Sequence, residues 1–256
     1  MTLVLTELSK NGIAMAADTA LLQKTPTYDA AQLEPRVYHG VMKLRPIPKI
    51  TAGVSVWGGG KVGTVDTDIW LRDFIRREET HYHDLPSFAT LLRDKLNNIV
   101  EPLDKDTASA RMGFHLAGFQ DTKEGRFPCF YHIHNGTSQY FKDIDPTVFN
   151  VNFDRPPQPY PEWYYYMTKN GDYVLYAELF AMLEQYFNQH RARGLRLPDP
   201  ESLPMRAEYL RFQIRTVSQI YQLSNTIPWI GGRVTTLTIS SEGFGSYETR
   251  EEIVTP

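Results

Sequence analysis

Residues 1–18 read MTLVLTELSKNGIAMAAD, and this stretch decides the fold. An apolar run, Leu3-Val4-Leu5, leads through Glu7-Leu8 to Lys10-Asn11-Gly12. A second apolar run, Ile13-Ala14-Met15-Ala16-Ala17, ends on Asp18. Asn-Gly is a strong hairpin signal, because both residues accept the positive φ angles of a type I′ turn. The chain is therefore expected to open on an antiparallel hairpin. Such a hairpin returns the end of its second strand to the start of its first, which places Asp18 near Thr2.

Thr2 acquires chemistry if Met1 is removed, and small second residues permit that removal. Thr2 would then carry a free α-amine beside its own hydroxyl. An α-amino group titrates near about 7.7–8.0 and so serves as a base close to neutral pH. Nucleophile and general base would sit on one residue, the threonine/N-terminal-amine arrangement. The plainer reading of position 2 alone is a residue that merely permits Met1 removal.

The pattern resembles the start of proteasome β-type subunits, members of the N-terminal nucleophile hydrolase superfamily. Those begin with a mature N-terminal threonine, run through a hairpin and reach Ala-Ala-Asp or Ala-Gly-Asp. Here Thr2 and Ala16-Ala17-Asp18 match in type and spacing. The likeness extends to bacterial self-compartmentalising relatives, the peptidase of the two-component ATP-dependent protease and the Anbu-type homologues. The resemblance implies a four-layer αββα sandwich of α+β class, one domain over residues 1–256, and threonine-type peptidase activity on peptides or unfolded protein. It also implies assembly with itself into a ring or another symmetric homo-oligomer, a possible ATP-dependent unfoldase partner, and no metal or organic cofactor. Two alternatives stay open: an amidase or acylase acting on small amides through the same Thr2, and a non-catalytic structural member of the fold.

Further residues follow from that resemblance. Lys43 opens a short strand before the Pro46-Ile47-Pro48 turn and stands for the family's catalytic lysine, with Lys49 and Lys24 as competitors. Its charge would lower the pKa of the Thr2 amine, and Asp18 would orient it. Trp57-Gly58-Gly59-Gly60 stands where the family uses a glycine N–H to hold an oxyanion, so Gly58 and Gly59 are both candidates. The family's Gly-Ser-Gly before a helix corresponds to Asn170-Gly171-Asp172, which makes Asp172 a supporting residue or a helix cap. Before Gly231-Gly232 the family carries an Asp and a Ser. This chain has Trp229 and Ile230 there, with Asn225 and Thr226 nearby, which favours the non-catalytic alternative.

Outward from these motifs, apolar periodicity predicts helices over 66–80, over 85–101, from an Asp172 cap to Gly194, and over 205–223. The face of the first would carry Ile69, Trp70, Phe74 and Ile75, and that of the third Leu175, Leu179, Met182, Leu183, Tyr186 and Phe187. Strands are expected over 111–119 and 128–134, joined by a polar loop from Gln120 to Arg126, and again over 234–239. Residues 19–42 and 135–168 read as elaborated loops, with some strand around Trp163–Met167. The tail from Tyr247 reads as peripheral. His132 and His134 alternate on one strand face, a pattern that is usually structural rather than metal-binding.

Composition bounds the rest. The chain has 256 residues, 41% hydrophobic and 22% charged, which suits a globular domain with a sizeable core. The net charge of −3, without basic or acidic runs, gives no signal for nucleic acid or a membrane surface. No signal peptide or membrane-length apolar run is visible. A single cysteine, Cys129, excludes an internal disulfide and fits a reducing cytoplasm. Gly60-Lys61-Val62 lacks the hydroxyl residue and glycine spacing of a nucleotide-binding loop.

Overall fold

The computed structural model describes residues 2–26, 33–100, 111–123, 125–135, 148–154, 165–171, 173–190, 193–194, 200–224 and 230–249. The chain begins β1 (Leu3–Ser9), β2 (Gly12–Asp18), β3 (Leu21–Pro26), β4 (Leu33–Tyr38), β5 (Leu44–Ile47), β6 (Ala52–Gly58), β7 (Lys61–Val62) and β8 (Val65–Asp66). It continues through α1 (Thr67–Arg77), α2 (Leu85–Val100), β9 (Met112–Thr122), β10 (Gly125–His134), β11 (Asn150–Asp154) and β12 (Tyr165–Gly171). It closes with α3 (Val174–Gln189), α4 (Leu203–Leu223), β13 (Val234–Ser240) and β14 (Gly243–Thr249). One five-stranded sheet has the order β12-β1-β2-β13-β14 and a second the order β11-β10-β9-β6-β5, with every neighbouring pair antiparallel.

The opening hairpin forms, with Val4 opposite Ala17 and Ser9 opposite Gly12. Its turn falls one residue earlier than expected. Lys10 and Asn11 make the link, and Gly12 begins β2 at φ +123°. Among the described residues Thr51 is the one non-glycine at positive φ, so Lys10 and Asn11 turn without the type I′ geometry.

Every residue of β1 and β2 is buried, because both faces of this sheet are covered. Side chains alternate between the faces along each strand. Leu3, Leu5, Ala14 and Ala16 pack with Tyr176 of α3 and with Leu210, Ile214 and Val217 of α4. Val4, Leu8, Ile13, Met15 and Ala17 pack against Ala117 and Phe130 of the other sheet. That second sheet uses its opposite face, through Val54, Val56, Phe114, Leu116 and Ile133, to bury Leu71, Phe74, Phe88 and Leu92 of α1 and α2. The continuous apolar runs of the N-terminal hairpin are thus the signature of a sheet packed on both sides.

Local signals explain the helix starts. Ser87 N–H donates to Asp84 Oδ1 (2.8 Å) while Asp84 N–H donates to Ser87 Oγ (3.0 Å), a reciprocal cap on α2. Ser202 Oγ accepts from Met205 N–H (3.5 Å) at the start of α4. No helix among the described residues is long and apolar enough to cross a membrane.

Several sequence expectations need correction. Within 19–42, β3 and β4 pair as a two-stranded ribbon instead of a turn-rich passage. The loop expected from Gln120 to Arg126 is mostly strand, with Gln120 opposite Phe127 and Asp121 opposite Arg126, since polar residues at a solvated sheet end still satisfy the ladder. On α1, Phe74 is buried as expected and Leu71 is buried with it, while Ile69 is exposed. On α3, Leu175 and Leu179 face the core as expected, but Tyr176 and Phe180 join them there while Met182 and Tyr186 are exposed. Tyr247 is no loose tail: it lies in β14, and its hydroxyl donates to the Leu44 carbonyl (3.1 Å). Asp172, Trp163, Asn225, Thr226 and Trp229 lie outside the described residues.

Candidate active site

The end of the hairpin holds a buried polar centre built on Asp18, which is fully buried. Its Oδ1 accepts from Leu3 N–H (3.0 Å) and from the Lys43 ammonium (2.9 Å). Its Oδ2 accepts from Ala20 N–H (3.1 Å) and Gly231 N–H (3.2 Å). A carboxylate has about four acceptor sites, and here each oxygen receives two donors. The Leu3 contact ties Asp18 to the residue after Thr2, as the hairpin geometry required.

Lys43 is placed by its backbone. Its N–H donates to Val41 O (3.1 Å), and its carbonyl accepts from Val56 N–H (2.8 Å). Its side chain is buried and donates to the Ala20 carbonyl as well as to Asp18. Burial pushes the Lys43 pKa down, while the Asp18 carboxylate acts the other way. Lys49, a competitor in the sequence, is instead placed over the Tyr82 ring and donates to Glu79 O, on the α1/α2 side of the second sheet. Lys24 lies in β3; its side chain is outside the described features.

Thr2 is buried and lines one cleft together with Lys43, Trp57, Gly58 and Asp68, with Leu21 and Val41 on its apolar side. The two candidate glycines differ in role. Gly59 N–H donates to Arg111 O (3.0 Å). Opposed residues in an antiparallel ladder alternate between bonded and non-bonded pairs, so the adjacent pair Gly58/Met112 is of the non-bonded kind. The Gly58 N–H therefore points away from β9, to the side on which Val56 N–H meets Lys43. Gly58 has φ +85°, and a Cβ there would lie 2.1 Å from Arg111 O, so no other residue fits. Thr67 braces this strand end from α1, donating through Oγ1 to Gly59 O and through N–H to Gly60 O (both 3.0 Å).

On the other side of Thr2, β12 runs beside β1, with Leu3 opposite Gly171 and Val4 opposite Asn170. Gly171 sits at φ +96°, and a Cβ on it would come within 1.7 Å of the Thr2 carbonyl oxygen. Sequence reading missed the group behind this contact. His115 of β9 bonds Thr6 Oγ1 through Nδ1 (3.0 Å) and Asn170 Oδ1 through Nε2 (2.7 Å). His132 accepts from Trp57 Nε1–H (3.2 Å), and His134 pairs with Asn152 Nδ2 (3.0 Å). Burial lowers the pKa of His115 to about 4 and that of His132 to about 2. The available signal was the inward alternation Gly113, His115, Ala117 on β9.

Two antiparallel five-stranded sheets with helices packed on them make up this fold, and comparison with solved structures finds the same proteasome-like fold elsewhere. The chain is similar to Anbu (ancestral beta-subunit) from Yersinia bercovieri, with a TM-score of 0.56 at 14% identity, covering 98% of this chain and 88% of that one. It is also similar to an Anbu mutant from Hyphomicrobium sp. strain MC1, with a TM-score of 0.53 at 11% identity, covering 99% and 88%. At these identities the likeness is one of fold. No protein-family model matches the sequence, and no curated protein matches it.

Proposed function

We propose that this chain is a threonine-type peptidase subunit, built as a four-layer αββα sandwich, and that it acts within an assembly of its own copies. The observation that carries this reading is the junction of Thr2, Asp18 and Lys43. The Asp18–Lys43 pair is buried (2.9 Å) directly beneath the start of β1, and Lys43 shares a cleft with Thr2. Burying a charged pair has a large desolvation cost and is weak evidence for stability alone, so its place beside a hydroxyl residue favours a chemical role. The Anbu neighbours, one of them described as an ancestral β-subunit, support self-association in general.

In this mechanism Met1 is removed and the Thr2 α-amine is free. The amine takes the Thr2 hydroxyl proton as Oγ attacks the peptide carbonyl. The Lys43 charge keeps the amine pKa low, and Asp18 holds Lys43 in place. The Gly58 N–H meets the oxyanion, a contribution of about 2.7–4 kcal/mol where such donors have been removed. The intermediate collapses as the leaving amine takes the proton back, leaving a Thr2 ester. Water, deprotonated by the same amine, then hydrolyses the ester and restores the hydroxyl.

The test is turnover of fluorogenic peptide amides and of an unfolded protein, with Thr2→Ala as the control. Turnover of both, lost in Thr2→Ala, supports the proposal, whereas turnover of small amides alone points to the amidase alternative. One observation favours a second reading, a non-catalytic subunit. Ile230, where the resemblance calls for a polar residue, is fully buried in the core under α3 and α4. Unchanged behaviour of Thr2→Ala in every assay would select that reading.

A further inference from the structure

We infer that His115 is a positioning residue for Thr2, setting β12 against the Thr2 backbone through its bond to the Asn170 side chain. This rests on the proposed Thr2 chemistry and adds to it a residue from the opposite sheet.

His115 is completely buried on β9, between Ser55 on β6 and His132 on β10. It reaches across the inter-sheet space and contacts two neighbouring strands at once, Thr6 on β1 (3.0 Å) and Asn170 on β12 (2.7 Å). Asn170 is opposite Val4, and the next residue, Gly171, is opposite Leu3 and in tight contact with the Thr2 carbonyl. A small shift of β12 therefore moves the nucleophile itself. Among the described residues β12 is the edge of its sheet, with β1 as its single strand neighbour, so a cross-sheet anchor matters more here than in a central strand. Phe130 packs edge-on against the imidazole (5.1 Å between centroids) and His132 does so at 5.3 Å, which holds the ring in one orientation. Displacements of about 1 Å far from the chemistry cost about a hundredfold in rate.

The two bonds of His115 can be separated by substitution. An asparagine carries its amide near the place of Nδ1 and keeps the Thr6 bond, while a glutamine carries it near Nε2 and keeps the Asn170 bond. The experiment is the rate of Thr2 adduct formation with a peptide epoxyketone, followed by intact mass, in the full-length protein and in His115→Asn, His115→Gln and Asn170→Ala. Thermal unfolding is recorded for each. A structural role predicts equal losses for His115→Asn and His115→Gln, since each forfeits one buried hydrogen bond.

The positioning role predicts asymmetry. His115→Asn and Asn170→Ala lower the limiting rate about 30-fold, with the half-saturating inhibitor concentration unchanged, and His115→Gln recovers most of the rate. Equal rates in His115→Asn and His115→Gln, with the parent protein labelled, would overturn the inference and leave the peptidase reading intact. If the parent protein is not labelled, the peptidase reading fails and the inference with it. Asn170→Ala breaks the same bond while leaving His115 and its packing in place. A full rate in this folded variant would also overturn the inference.

Discussion

Replacing Asp18 with asparagine tests the buried centre most severely. Asp18 takes four donors, and an asparagine side chain presents one oxygen acceptor and one NH₂ donor in their place. Whichever way the new amide turns, its NH₂ faces two other donors. Lys43 meanwhile loses its counter-charge in a site where it is 3% exposed. Removing one partner of a buried ion pair costs about 3–5 kcal/mol. For a domain of this size each kcal/mol lowers Tm by about 2–4 °C, so Asp18→Asn should lower it by roughly 6–20 °C. Lys43→Met should cost less, because Leu3, Ala20 and Gly231 still donate backbone N–H groups to the carboxylate. The double variant carries no buried charge at this centre and should be more stable than the summed singles imply, with a coupling of at least about 1.5 kcal/mol. Thermal and urea unfolding of the four proteins measures this cycle. Additivity within about 0.5 kcal/mol would refute the pairing, as would a Tm change under about 2 °C for Asp18→Asn.

Other consequences are open to direct measurement. Gly171→Ala places a methyl group in the space of the Thr2 carbonyl. It should abolish epoxyketone labelling of Thr2 while the far-UV spectrum stays native; normal labelling would contradict the β12 contact. Burial lowers the folded-state pKa of His115 to about 4 and of His132 to about 2, below the ordinary value of about 6.5. The unfolded chain then binds more protons below pH 6.5. Stability is therefore complete above about pH 6.5 and falls as pH drops towards 4, by up to about 1.4 kcal/mol per pH unit for each histidine. Urea midpoints at several pH values would show this, and His132→Gln should flatten the slope; a flat profile in the parent protein would contradict the buried neutral cluster. Arg206 faces the buried Glu7 carboxylate at 2.6 Å. Arg206→Ala should destabilise by about 3–5 kcal/mol, against little change for the neutral pair Glu7→Gln/Arg206→Met.

The sheet end that carries the site was legible in the first eighteen residues because two chemistries coincide there. Two apolar runs around Asn11-Gly12 demanded a hairpin, and hairpin geometry alone brought Asp18 back towards Thr2, where it meets Leu3 N–H. Lys43 was legible through the family resemblance, although its bond to Asp18 is a long-range event that local pattern does not encode. The β3–β4 ribbon was missed because Pro26, Pro35 and the polar residues around them mask strand periodicity. Met182 and Tyr186 were assigned to the core because hydrophobicity does not distinguish an inward from an outward apolar face. His115 and Asn170 stayed invisible as a pair because they are 55 residues apart and meet only when the two sheets stack.

The central claim is that Thr2 is a free N-terminal nucleophile. The decisive measurement is the intact mass of the protein made in its own host, before and after treatment with a peptide epoxyketone, with Thr2→Ala alongside. The account predicts loss of Met1, addition of one inhibitor molecule at Thr2, and no addition in the variant. Retention of Met1 with no adduct would contradict it and leave a proteasome-like fold without threonine chemistry.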